Sequence, residues 1–204
     1  MLACGGFMRV YLIRHGQSEE NAADLKRLIG LEDFRQLLEH AQHSPLTALG
    51  REQAATVAEE IAAFKPTHLY SSPYIRAFDT AQIIAARVGL PIQTINELHE
   101  ISAIVPFLMR RERHRALRTM YIRGYLSQLI PHRPLWGETW WVAQRRVIKA
   151  WNTMLEQWSP STRAVVVAHR AFIWMTLRYL QRHGGWRIIR RSTDNTGISE
   201  LESI

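Results

Sequence analysis

Cysteine is nearly absent from this chain of 204 residues, with Cys4 standing alone. One cysteine excludes an internal disulfide framework and any cysteine-rich zinc site, and is compatible with a reducing cytosol. Long apolar runs are missing too: no stretch approaches the roughly 18 residues of a membrane span. The opening "MLACGGFM" lacks a charged leader and a sufficiently long apolar core, so no signal peptide is read there. The first seven residues are expected to be a loose extension, and the expected location is cytoplasmic. Low-complexity tracts and internal repeats are absent as well.

Acidic residues are the scarcer charge, 18 Asp and Glu against 26 Lys and Arg, for a net charge of +8. That balance favours an anionic partner, whether nucleic acid, an anionic membrane surface or a phosphorylated substrate. What is present otherwise, 47% hydrophobic and 22% charged residues, is ordinary globular composition. The length suits one compact domain spanning 1–204.

Short apolar, β-branched runs predict strands over 8–14, 67–72, 91–95 and 163–169, and "GISELE" over 197–202 alternates as a half-buried strand would. Helical patterns lie between them. "TALGREQAATVAEEIAAF" places Leu49, Ala54, Val57, Ala58, Ile61 and Phe64 on one stripe behind Thr47, a suitable N-cap. The stretch from Ser72 repeats Ile75, Phe78, Ala81, Ala85 and Val88, and Gly89 with Pro91 stops it. "GETWWVAQRRVIKAWNTMLEQW" aligns Trp140, Val147, Trp151, Leu155 and Trp158, a core face by its spacing. Alternating strands and helices imply an α/β fold, three layers α/β/α around a mostly parallel sheet. Residues 22–44 form a polar helical excursion. Residues 103–136 read as a helical insertion over the sheet edge, where Arg110, Arg111, Arg113, Arg115, Arg118 and Arg123 concentrate charge.

Open α/β sheets collect ligands at the carboxyl ends of their strands. There the first strand ends at Arg14-His15-Gly16, the second leads to Arg76 at a helix start, the third to Glu97 and Glu100, and the fourth to His169. A cation in the first turn of a helix is disfavoured by the dipole, so Arg76 calls for an anion. A neutral imidazole can attack a phosphoryl group, arginine forks can hold its oxygens, and a carboxylic acid can protonate the leaving alkoxide. No metal or other cofactor is needed for that set.

The motifs themselves resemble the phosphoglycerate-mutase-like branch of the histidine phosphatase superfamily. "RHGQSEEN" is similar to its Arg-His-Gly-x-Ser-x-x-Asn signature, "HSPLTALGREQA" and "LYSSPYIRAFDTA" to two further segments, and "ELHEIS", "VVVAHRAFI" and "NTGISELE" to later ones in the same order. The resemblance implies His15 as the phosphorylated nucleophile. It implies Arg14, Arg76, His169 and Asn21 as the phosphate pocket, and Glu100 as acid and base, with Glu97 the alternative. Arg170 stands where the family usually has glycine, and the mutase subgroup's "E-R-H-Y-G" is missing after the acid. "WGETWW" resembles a family segment that would carry Glu138 towards the site.

The expected activity is metal-independent hydrolysis of phosphomonoesters through a phosphohistidine. The alternatives are a mutase-type phosphotransferase, a metallohydrolase on His15, His169 and a glutamate, and an idle member that binds anions or nucleic acid. The expected partner is a phosphorylated small molecule rather than a membrane or nucleic acid, with the basic insertion free to contact a second copy in a homodimer.

Overall fold

The computed structural model describes residues 7–101, 103, 114–129 and 137–204. The expected loose N-terminal extension therefore lies largely outside the described residues, with Cys4, Arg110, Arg111 and Arg113. A six-stranded sheet is built from β1 (Arg9–Arg14), β3 (His68–Ser71), β4 (Ile92–Thr94), β6 (Arg163–Ala168), β7 (Trp186–Arg190) and β8 (Ile198–Ser203). Its order is β4-β3-β6-β1-β8-β7. The first four pair parallel, and β8 runs antiparallel to both its neighbours. The sheet is thus mostly parallel, and β1, β3 and β6 end on the same edge.

Strand periodicity divides the core. Val10, Leu12, Val166 and Ala168 face one side, against α6 (Trp140–Leu155) and α7 (Arg170–His183). Tyr11, Ile13, Val165 and Val167 face the other, against α3 (Ala48–Ala63) and α4 (Ile75–Val88). The result is the expected three layers. A smaller cluster joins α2 (Leu31–His40) to α5 (Leu117–Ser127) through Phe34, Leu117 and Met120. Beside it a two-residue strand β2 (Leu28–Ile29) pairs with β5 (Arg115–Ala116), while α1 (Glu19–Ala22) is one turn after the first strand. Residues 117–127 of the expected insertion are therefore helical; residues 104–113 and 130–136 lie outside the described residues.

Thr47 caps α3 by accepting the N–H of Gly50, and Gly89 ends α4 in the left-handed region at φ 74. Two stripe assignments need correction. Leu49 and Ile75 are exposed, and α4 buries Arg76, Ala77, Thr80, Ala81 and Ile84 instead. The buried stripe is rotated because Arg76 turns inward to the site. Helix α7 and strand β7 were not among the expected elements. Among the described residues no helix is long and apolar enough to cross a membrane.

Candidate active site

The end of β1 delivers Arg14 and His15 to the carboxyl edge of the sheet, both buried. Gly16 follows because nothing larger fits: a Cβ there would lie 2.4 Å from the carbonyl oxygen of Gly50. The constraint at this position is backbone packing against α3. Gly16 also donates its N–H to Thr80 Oγ1 at 3.1 Å, tying the turn to α4.

His15 Nδ1 lies 2.7 Å from the carbonyl oxygen of Gly16. A carbonyl only accepts, so Nδ1 carries the proton and Nε2 keeps its lone pair. That lone pair accepts from Arg76 Nε at 3.1 Å. Burial and then the charge of Arg76 hold the imidazole well below the usual histidine range, so it stays neutral. His169, from the end of β6, has its ring 5.1 Å from that of His15. Its Nε2 meets Ser72 Oγ at 2.8 Å, while its buried Nδ1 has no hydrogen-bond partner among the described residues. Burial, Arg76 and His15 keep His169 neutral as well.

Arg76 sits in the first turn of α4 and is buried. Its charge there is answered by the carbonyl of Ala41 and by Glu20 Oε2 at 3.4 Å, with the Tyr74 ring 5.1 Å away. Arg14 donates to Thr193 O at 3.2 Å, and its buried Nε has no hydrogen-bond partner among the described residues. Desolvation and the neighbouring Arg170 lower its pKa to about 10, which leaves it charged at neutral pH.

Arg14, His15, Asn21, Arg76 and Glu100 line one cavity of about 570 Å³. Glu100 follows the short turn Asn96–Leu98, and its Oε1 accepts the N–H of Ile101 at 2.9 Å. Desolvation pushes its carboxyl above the usual range, outweighing Arg76 and Arg14. Glu97 is elsewhere: it pairs with Lys149 at 2.7 Å on an exposed flank. Glu138 also stays out of the cavity. It is clamped by Arg146, whose NH1 donates to the carbonyl oxygens of Glu97 and His99, so the pair braces the segment that presents Glu100. Several cavity residues carry no role in the sequence reading, among them Glu20, Tyr121 and Tyr125, and Arg170, noted there only for standing in place of a glycine, lines the cavity too. Tyr121 donates to Glu20 Oε1 at 3.0 Å and stacks with Tyr125, an i,i+4 pair whose spacing alone says nothing of the site. Among the described residues, no three His, Cys, Asp or Glu side chains are grouped so as to hold a metal ion.

The site therefore combines a buried neutral imidazole whose Nε2 lone pair faces Arg76, two guanidinium groups, and a carboxyl whose pKa is raised by desolvation. The sequence profile described as Histidine phosphatase superfamily (branch 1) matches residues 10–203. A Salmonella arizonae protein named "Probable phosphoglycerate mutase GpmB" is 29% identical over 201 residues, 96% of this chain and 85% of its own length. Two solved structures share the fold. A mycobacterial glucosyl-3-phosphoglycerate phosphatase has a TM-score of 0.65 at 20% identity, covering 96% of this chain and 90% of the other. A phosphoserine phosphatase from Entamoeba histolytica has a TM-score of 0.63 at 23% identity, covering 95% and 89%.

Proposed function

The chain belongs to the histidine phosphatase superfamily, branch 1, and on that premise we propose that it hydrolyses phosphomonoesters through a phosphohistidine on His15, without a metal ion. The observation that carries this reading is the tautomer of His15. Nδ1–H is committed to Gly16 O, so Nε2 is the nucleophilic atom, and it lies in the cavity beside Arg76.

In the first step Nε2 attacks phosphorus and the bond to the ester oxygen breaks. Arg14, Arg76 and the unpartnered Nδ1 of His169 donate to the three phosphoryl oxygens. Glu100, whose pKa desolvation raises, gives its proton to the departing alkoxide. The Gly16 carbonyl steadies the cationic phosphoimidazole through Nδ1–H. In the second step the Glu100 carboxylate takes a proton from water, the water oxygen bonds to phosphorus, and the bond to Nε2 breaks. Inorganic phosphate leaves and Glu100 is again an acid.

The arginines supply the electrostatic stabilisation that a metal ion would otherwise give. A cation at Nε2 would meet the Arg76 guanidinium 3.1 Å away, which disfavours the metallohydrolase alternative. The Salmonella relative's name favours a second reading, transfer of the phosphoryl group within a phosphoglycerate.

The test is a turnover panel of aryl phosphates, phosphoacids, sugar phosphates and nucleotides, with acid-quench trapping of label on the protein. Wild type should release inorganic phosphate and carry label lost in His15→Ala, and chelator should change nothing. Interconversion of phosphoglycerates without phosphate release would establish the transferase instead. Hydrolysis retained by His15→Ala would overturn the mechanism.

A further inference from the structure

The cavity holds one more cation than the transferred phosphoryl group needs. Arg170 is the first residue of α7, where the helix dipole disfavours positive charge, and that first turn carries no acidic residue to offset it. Its Nε donates to Thr193 O at 3.3 Å, the oxygen that Arg14 reaches at 3.2 Å. Two guanidinium groups thus converge on one carbonyl at the wall of the cavity. Among the described residues Arg170 has no carboxylate partner, while Glu20 is committed to Arg76 and Tyr121. The mutual repulsion is felt by Arg14, whose pKa falls to about 10 with Arg170 the second cause after burial. Glu100 and Asp194 offset the repulsion at Arg14 only in part, and the exposed Arg170 guanidinium is left open to an anion from outside.

Arg170 enters the cavity from a different element than Arg76. Arg76 approaches His15 Nε2 from α4, whereas Arg170 heads α7 and shares the cavity lining with Ala171 and Asn195. Resting on the phosphatase reading above, we propose that Arg170 forms a second anion subsite and that the substrate is a phosphomonoester whose alcohol portion carries its own carboxylate or phosphate. Asn195 can add a neutral hydrogen bond to that group. A planar fork suits a carboxylate or phosphate better than a point charge does.

Two measurements test this on the whole protein. In the first, wild type, Arg170→Gln and Arg170→Lys are assayed with phenyl phosphate and its three carboxyphenyl isomers. At least one carboxylated ester should exceed phenyl phosphate in kcat/KM by about tenfold, the gain of one charge-assisted hydrogen-bond pair. Arg170→Gln should lower that ester about tenfold more than phenyl phosphate, with Arg170→Lys between. An equal loss on every ester would place Arg170 on the transferred phosphoryl group and overturn the subsite. In the second, calorimetry compares phosphonoacetate with methylphosphonate, neither of which is hydrolysed. Tighter binding of phosphonoacetate by wild type, reduced in Arg170→Gln, supports the subsite even if no ester is turned over. In that case only the hydrolase reading fails. Equal binding of the two phosphonates overturns the subsite.

Discussion

Arg76 Nε donates to His15 Nε2 at 3.1 Å, so the proposed nucleophile and one of its proposed phosphate-binding partners are in direct contact. The contact depends on a guanidinium. Its Nε points at the imidazole while NH1 reaches Ala41 O and Glu20. An ammonium offers a single point of charge and cannot serve both directions at that spacing. Arg76→Lys should keep the fold and lower kcat/KM for phenyl phosphate by about a hundredfold or more. Steady-state kinetics alongside a thermal melt would separate the two effects.

Gly50 and Gly16 lock the turn that carries His15. A Cβ on Gly50 would fall 2.0 Å from Gln17 O, and one on Gly16 would fall 2.4 Å from Gly50 O. Both obstacles are backbone, so relief requires moving the turn itself. Gly50→Ala should cost about 1–3 kcal/mol in urea unfolding. It should also lower kcat by displacing His15, even though residue 50 touches no substrate. Unfolding and kinetics on the same preparation would check both parts.

Much of this arrangement is legible in the sequence because the central strands are short apolar runs that end abruptly on polar residues. Arg14-His15, Ser71-Ser72 and His169 mark three of those ends, and parallel pairing brings them to one edge. Helix α7 is hidden for another reason: after His169-Arg170 its first turns, "AFIWMTL", are almost wholly apolar, so no polar face betrays the helical period. Strand β7 is mostly half-buried or exposed, with little alternation to betray it. The choice between Glu97 and Glu100 rests on packing: Arg146 and Lys149, both from α6, fix the turn and turn Glu97 outward. Tyr121 and Tyr125 reach the cavity by tertiary contact alone.

Trp151 anchors the layer behind the site. It is 2% exposed and packs edge-on to Trp158 at 5.5 Å and Trp186 at 5.1 Å. Trp158 in turn donates to Tyr70 OH on β3 at 3.1 Å. Truncation leaves a large cavity among rigid rings that cannot collapse to fill it. Trp151→Ala should cost about 3–5 kcal/mol, read from the urea midpoint.

Both histidines should resist protonation. Burial and Arg76 hold His15 and His169 well below the ordinary histidine range. Folded-state pKa values below the unfolded ones mean that their contribution to stability is present above the unfolded value and lost as pH falls. Their ring proton shifts in NMR spectra should therefore stay flat between about pH 8 and 6, where exposed histidines titrate. Titration of His15 near its ordinary value would remove the argument for a neutral nucleophile at rest.

Glu100 should show the opposite sign. Desolvation raises its folded-state pKa, so its favourable contribution is complete below the unfolded carboxylate value and is lost as pH rises through the folded one. Glu100→Gln removes that titration. The variant should gain melting temperature relative to wild type as pH climbs from the ordinary carboxylate range, and lose the advantage in acid. Its activity should fall most where the leaving group most needs a proton. Loss of kcat should be about a hundredfold or more for an alkyl phosphate and far smaller for 4-nitrophenyl phosphate. For wild type, alkyl phosphate hydrolysis should decline as pH rises through the raised pKa, because the acid form that protonates the alkoxide is then depleted. Equal losses on good and poor leaving groups would instead make Glu100 a structural neighbour of Arg14 and Arg76. The comparison of the two esters across pH therefore tests the proton transfer itself.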